Sequence, residues 1–239
     1  MTTASEDSAR KFDPARANEY ETQSRIALAG YDACHDLAAC ILSAALGSGS
    51  AAHVLVAGAG GGAREIVVGG ALEPHWRFTA VDPSQPMMEI AEARLRESGL
   101  IDRTEIVLGT VDALPLGTTF DAATLIGVLH HLPGDEAKLA ILRAMAARMK
   151  PGAPLILAGN CFAYASRPLL LAAWGTRWRM QGASEDEVKA KLGKILQGAD
   201  PPASEEAVFE LLAQAGFEAP QRFFSSLFWG AWVARRANA

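Results

Sequence analysis

The chain has 239 residues, 50% hydrophobic and 21% charged. That is long enough for one large domain or two small ones and too apolar for a largely disordered chain. Twenty-two lysines and arginines against 27 aspartates and glutamates leave a net charge of −5, with no basic surplus or stripe, so general nucleic-acid binding is not expected. Three cysteines (Cys34, Cys40, Cys161) form no CxxC pair and read as free thiols; with no zinc-type cluster, no secretory leader and no uninterrupted apolar span, a soluble cytoplasmic protein without a bound metal is expected.

Residues 1–13 read as a loose terminus. Helices are predicted over 14–28 and 31–46, broken at Gly30, with Tyr31, Cys34, Leu37, Ala38, Ile41, Leu42 and Ala45 at helical spacing. The rhythm then changes. Short apolar strands are predicted at 53–57, 77–81, 104–108, 121–126 and 154–158, separated by helices from about residue 64, over 86–97 and over 135–149. Strands alternating with helices predict a parallel sheet covered on both faces. Helices at 166–181, 185–197 and from Ser204 follow, and strand-like runs at 221–227 and 229–235 predict a closing antiparallel hairpin.

Gly58, Ala59, Gly60 and Gly62 lie between the first strand and its helix. Glycine there permits a sharp turn and close approach of a ligand, and the helix start offers N–H groups to an anion. A tight turn without a ligand is the alternative. Asp82 ends the second strand, 20 residues after Gly62, where a carboxylate can accept from both hydroxyls of a ribose. Before Pro83 it also fits a simple turn. His130 and His131 are the acid–base candidates, weighed against plain loop packing. Tyr164, Trp174 and Trp178 follow the fifth strand, at the end of an α/β sheet where ligands bind. They are read as a lid over an apolar pocket or as ordinary helix packing.

Five segments in order carry a resemblance: Val54 to Gly62, Val81 to Met88, Gly109 to Pro115, Phe120 to Leu132 and Met149 to Leu157. Together they resemble the motifs of class I S-adenosylmethionine-dependent methyltransferases over about residues 50–160. The resemblance implies an α/β fold: a Rossmann-like class I methyltransferase sheet, parallel with an antiparallel terminal hairpin, plus a helical cap. The implied organisation is an N-terminal helical cover (1–50), a cofactor-binding core (51–161), a helical cap insertion (162–203), and a last helix with the closing hairpin (204–239).

The implied cofactor is S-adenosyl-L-methionine, leaving as S-adenosyl-L-homocysteine. Gly58, Ala59, Gly60 and Gly62 would pass under its methionine part, Asp82 and Pro83 would lie at the ribose, and Met87, Val111 and Asp112 at the adenine. Ile126 and Gly127 would flank the methionine moiety. Val56 departs from the acidic residue of many members, which leaves the cofactor ammonium to backbone carbonyls. Tyr20, Tyr31, Phe162, Tyr164, Trp174 and Trp178 would line a pocket for a small, partly apolar acceptor. Methyl transfer by direct displacement is implied, with no membrane or nucleic-acid partner.

Ser24 to Tyr31 and Ala215 to Glu218 are also similar to segments of the carboxy-S-adenosylmethionine synthases of tRNA wobble-uridine modification, which would place Arg25 at the cofactor carboxylate. Leu192 stands where that family carries its carboxylate-binding arginine and cannot replace it, so that chemistry is disfavoured. Two further alternatives are a nicotinamide-dependent oxidoreductase, disfavoured by Asp112 and the short length, and a non-catalytic cofactor-binding subunit.

Overall fold

The computed structural model describes residues 22–115 and 117–238. Five strands are parallel: β1 (His53–Ala57), β2 (Arg77–Asp82), β3 (Thr104–Leu108), β4 (Ala122–Ile126) and β5 (Pro154–Asn160). Two more, β6 (Phe217–Ser226) and β7 (Trp229–Arg236), form an antiparallel hairpin, and β7 runs antiparallel to β5. The sheet order is β3-β2-β1-β4-β5-β7-β6, the expected Rossmann-like arrangement. The chain moves outward from β1 to β2 and β3, then crosses back to β4 on the other side of β1. In open α/β sheets this reversal makes a crevice beyond the carboxyl ends of the strands.

The helices are α1 (Tyr31–Leu46), α2 (Arg64–Leu72), α3 (Gln85–Glu97), α4 (Gly134–Ala146), α5 (Pro168–Met180), α6 (Glu185–Gly198) and α7 (Glu205–Gln214); residues 22–27 are also helical. Side chains alternate across a strand, which sorts the core into two layers. Val54 and Val56 of β1 pack with Cys34 and Leu42 of α1, Ile66 of α2 and Leu95 of α3. Leu55 and Ala57 face the other way, into the layer that holds Leu142 and Met145 of α4 and Leu211 and Leu212 of α7. Every residue of β5 is buried, as a strand covered on both faces must be. Each fully buried Leu, Ile or Phe contributes about 1.5–3 kcal/mol. A third apolar cluster joins Tyr164, Trp174, Trp178, Val188 and Phe228, built from α5, α6 and the segments that leave β5 and β6.

Several boundaries differ from expectation for physical reasons. β6 begins at Phe217, not Gln221. Pro220 argues against a central strand, but β6 is the sheet's edge, where proline is tolerated. The register shifts between Glu218 and Gln221, and Ala219 takes a left-handed φ of 50°. β5 continues past Ala158 because Gly159 and Asn160 pair with Gly230 and Trp229 of β7. The helix expected to reach Met149 stops at Ala146, and Met149 bridges to Phe120 instead. Of the helix expected over 14–28, residues 14–21 lie outside the described residues.

The segment after α6 is tied down by charge. Lys138 of α4 is 1% exposed, and its Nζ donates to the Gly134 carbonyl at 3.1 Å and to Asp200 Oδ2 at 2.9 Å. Asp200 also accepts the Gly134 N–H at 2.7 Å, and its own N–H donates to the His130 carbonyl at 2.8 Å. The hydrogen bond from Lys138 holds the Asp200 carboxyl below its ordinary range, helped by the Gly134 N–H and opposed by partial burial. A depressed carboxyl stabilises the fold above its unfolded pKa and loses that contribution as pH falls through the folded value. Asp200→Asn is therefore expected to lower stability at pH 7 by about 1 kcal/mol, a figure discounted for the solvent exposure of the Asp200 side chain. In urea unfolding the gap from wild type should hold down to about pH 5 and narrow below about pH 4. A gap that does not change with pH overturns this role for the pair.

Candidate functional site

The turn after β1 can be made only with glycine at two places. Gly58 has φ +75°, and a side chain there would run into Val128. Gly60 lies so close to the end of β2 that a Cβ would stand 2.5 Å from Met87 Cβ and 2.7 Å from Asp82 Oδ2. Nothing lies within 4 Å of a Cβ placed on Gly62, so glycine there leaves open space and is not demanded by packing.

Asp82 organises this turn. Its Oδ2 accepts the Gly60 N–H at 3.0 Å and its Oδ1 the Ser84 N–H at 2.8 Å. Burial pushes the Asp82 carboxyl up, and the two N–H bonds pull it back. Each oxygen keeps acceptor capacity for one more donor. On the neighbouring strand end, Val111 is buried and Asp112 exposed. That loop is held from below by Arg148, 5% exposed, whose guanidinium donates to the carbonyls of Asp112 at 3.0 Å and Leu114 at 2.8 Å.

Beyond the carboxyl ends of β1, β4 and β5 lies a cavity of about 650 Å³. Gly58, Gly60, Ile126, Gly127 and Asn160 form its floor on the strand ends. Tyr31, Tyr164, Trp174, Trp178 and Trp229 supply aromatic walls, and Lys191 and Lys194 of α6 add two cations. The roof is stitched to the N-terminal segment. Trp174 Nε1 donates to the Ala27 carbonyl at 2.7 Å. Arg177 donates to the carbonyls of Ile26 and Arg25 at 3.1 and 3.0 Å, and Lys191 Nζ to Gln23 Oε1 at 3.1 Å. The bonds from Trp174 and Arg177 cap carbonyls at the end of the 22–27 helical stretch.

His130 and His131 both border the cavity. Burial holds the His130 imidazole well below its ordinary range, with His131 and Lys138 adding repulsion. It is neutral near pH 7, packs edge-on to Trp229 and accepts the Asn160 N–H on Nδ1 at 3.4 Å. Asn160 Nδ2 in turn donates to the Tyr164 hydroxyl at 2.7 Å. Burial pushes the Tyr164 phenol up to about 12, so it stays protonated. Asn160 Oδ1, Trp178 Nε1, Trp229 Nε1 and Arg64 Nε are buried without a hydrogen-bond partner, all on residues that border the cavity.

The expected site residues divide into three groups. Gly58, Gly60, Ile126, Gly127, Tyr31, Tyr164, Trp174, Trp178, His130 and His131 meet around the cavity. Asp82, Pro83, Met87, Val111 and Asp112 sit beside it, at and after the ends of β2 and β3. Arg25 and Phe162 are not brought to the cavity. Asp32 holds the Arg25 guanidinium at 2.9 and 3.1 Å. Phe162 lies under Arg167, 3.9 Å from its ring centre, in a second, separate hollow. Tyr20 lies outside the described residues. Sequence reasoning missed Asn160, Trp229, Arg148, His35 and Glu65. For Asn160 a signal was available, since it ends the fifth strand on the ligand-binding side of the sheet. Among the described residues no group of three or more His, Cys, Asp or Glu is placed to hold a metal, and no helix is long and apolar enough to cross a membrane.

The same stretch of chain matches known proteins. Residues 55–155 match a family model described as a methyltransferase domain. An uncharacterized protein of Synechococcus sp. is 35% identical over 95 residues, 39% of this chain, which spans only 21% of that relative's length. Human N-acetylserotonin methyltransferase, solved with S-adenosylmethionine, superposes with a TM-score of 0.65 at 17% identity, over 95% of this chain and 57% of that one. Mitomycin 7-O-methyltransferase gives 0.61 at 22% identity, over 87% and 55%. The 1,6-didemethyltoxoflavin-N1-methyltransferase of Burkholderia thailandensis gives 0.58 at 23%, over 86% and 79%. At these identities the structures share a fold, and the matched segment contains the glycine turn, Asp82, Asp112 and both histidines. Residues 55–155 thus match a methyltransferase domain, and the sheet that carries them has the Rossmann-like fold that the solved methyltransferases share.

Proposed function

We propose that the chain binds S-adenosylmethionine across the β1–β4 crevice and transfers its methyl group to a small, partly apolar acceptor beneath α5 and α6. The observation that carries this is the continuity of two parts: a glycine turn cradled against the Asp82 carboxylate, and a roofed aromatic cavity opening directly from it. The residues fit the cofactor. Gly60 lets the turn lie directly against the Asp82 carboxylate, whose oxygens keep acceptor capacity for ribose hydroxyls, and Asp112 is exposed for the adenine amino group. Bound there, the cofactor supplies a methyl group on a sulfonium, which leaves by direct displacement to the acceptor.

The protein's part is positioning and exclusion of water. Gly58 and Gly127 keep the floor flat enough for the reacting groups to meet. Trp174 and Trp178 close the apolar side. The Tyr164 hydroxyl, protonated and held by Asn160, is a donor suited to orienting an acceptor oxygen or nitrogen. His130, buried and neutral, is read as a positioning group for Asn160, and His131 as the more open of the two imidazoles. The three solved neighbours named above act, by their names, on small molecules, which supports an acceptor of that size here. Leu192 packs in the apolar cluster with Trp174 and Val188, in keeping with a site that reads no second carboxylate at that position.

Two measurements test this reading. In titration calorimetry S-adenosylhomocysteine should bind and NAD should not; binding of NAD alone would overturn the assignment. Asp112→Ala should weaken S-adenosylhomocysteine by about 1–3 kcal/mol, the scale for a lost hydrogen bond to a polar ligand group, with little change in stability because the side chain is exposed.

The second measurement is hydrogen exchange. Residues 22–46 and 162–198 should exchange faster than β1, β4 and β5 without ligand, and slow when S-adenosylhomocysteine is added. Full protection of both segments without ligand, unchanged on binding, would show a fixed wall and exclude a moving lid.

A further inference from the structure

One buried acid on the cavity wall is unused by the reading above. Glu65 lies in the first turn of α2, one residue after Arg64, and its side chain is 10% exposed. Its carboxylate meets its own backbone N–H and, at 3.9 Å, Nε2 of His35. His35 is 3% exposed, and its Nδ1 lies 2.8 Å from the Tyr31 carbonyl. A carbonyl only accepts, so Nδ1 carries a proton, and Nε2 stands beyond hydrogen-bond reach of the Glu65 carboxylate. Both residues border the cavity. A buried carboxylate whose ionic partner stands that far off has room for a ligand group with several N–H donors and a positive charge. Burial pushes the Glu65 carboxyl up, opposed by His35 and its own N–H, as desolvation of an acid does.

Resting on the cofactor assignment, we propose that Glu65 binds the α-ammonium of the amino-acid end of S-adenosylmethionine. The glycine turn leads from Gly60, beside Asp82, to Arg64 and Glu65 at the start of α2. A ligand lying along the turn with its sugar at Asp82 therefore brings its far end to Glu65. The same wall answers the carboxylate of that end: Arg64 Nε is buried with no partner, while Arg64 Nη2 is held by Asp32 at 3.2 Å and lies 3.8 Å from Asp36. Val56, at the end of β1, carries no charge, and Glu65 supplies from the helix the negative group that the strand lacks. This replaces the expectation that backbone carbonyls alone hold the ammonium.

The test is calorimetry with two ligands and two proteins. On the unaltered protein, S-adenosylhomocysteine should bind about 10–100-fold more tightly than its deaminated analogue, which keeps the carboxylate and the adenosine; this is the scale of a charge-assisted hydrogen bond. Glu65→Gln should remove that preference, lowering S-adenosylhomocysteine affinity to near the analogue's while leaving the analogue's unchanged. Equal affinity of the unaltered protein for the two ligands overturns the proposal, as does a Glu65→Gln protein that keeps the preference or weakens both ligands alike. A proton-carrying His35 that already neutralises Glu65 would give the first of these results. If neither ligand binds the unaltered protein, the cofactor assignment fails first. The comparison of ligands on unaltered protein needs no variant to fold.

Discussion

The site depends on one carboxylate that does its structural work through backbone. Asp82 ends β2 and accepts the Gly60 N–H on one oxygen and the Ser84 N–H on the other. The first bond fixes the turn after β1, and the second fixes the start of α3. A charged acceptor bonded to two amides is stronger than a neutral one, so three strand and helix ends are locked about a single buried group. Gly60 follows from this, because any side chain there would occupy the space of the carboxylate and of Met87. Gly58 follows from the next contact, with Val128 at the end of β4. The crevice is thus a rigid floor, set by the sheet register and closed by hydrogen bonds.

The roof is built on another principle. It has no sheet beneath it; its residues meet in the small cluster of Trp174, Trp178, Tyr164 and Phe228. Its ties to residues 23–27 run mainly from side-chain donors on α5 to carbonyls at the end of a helical stretch. Side-chain bonds of this kind contribute about 1 kcal/mol each, and they can open without disturbing the two main cores. A rigid floor and a separately cored roof is the division of labour that the proposed methyl transfer would use. Its electrophile would be held still, while its acceptor would enter and leave.

Most of the floor was legible in the sequence because its signals are local. Glycines at 58, 60 and 62 between an apolar run and a helix, and an aspartate ending the next strand, are short-range patterns with a geometric cause. The roof was less legible. The bond from Trp174 to Ala27 spans 147 residues, and nothing in either neighbourhood announces the other. Arg25 illustrates the limit: the resemblance of Ser24 to Tyr31 to a synthase segment suggested a ligand, but Asp32, seven residues on, takes the guanidinium. Glu65 was hidden for the opposite reason. An acid in the first turn of a helix is so well explained by the helix dipole that only its burial against His35 sets it apart. The edge strand extends past Pro220 to Phe217 because β6 has one free side, which no local pattern shows.

The distribution of unmet hydrogen-bonding capacity joins these observations. Buried polar atoms in folded proteins are nearly always paired, and each exception costs about 1–3 kcal/mol. Among the described residues seven buried side-chain atoms lack a partner, and four of them, on Arg64, Asn160, Trp178 and Trp229, belong to residues bordering the cavity over the strand ends. A fifth, Ser84 Oγ, sits beside Asp82. A core evolved for stability alone would not gather its unsatisfied groups along one wall. A wall that exchanges partners with a ligand would, because the cost is relieved when the ligand brings complementary donors and acceptors. The lining is also chemically mixed: unpartnered indole and guanidinium donors and an amide acceptor stand beside a protonated phenol and a buried carboxylate. Such a lining matches a zwitterionic, partly aromatic occupant better than a purely apolar one, and the long aromatic faces of Trp174, Trp178 and Trp229 supply the remaining contact area.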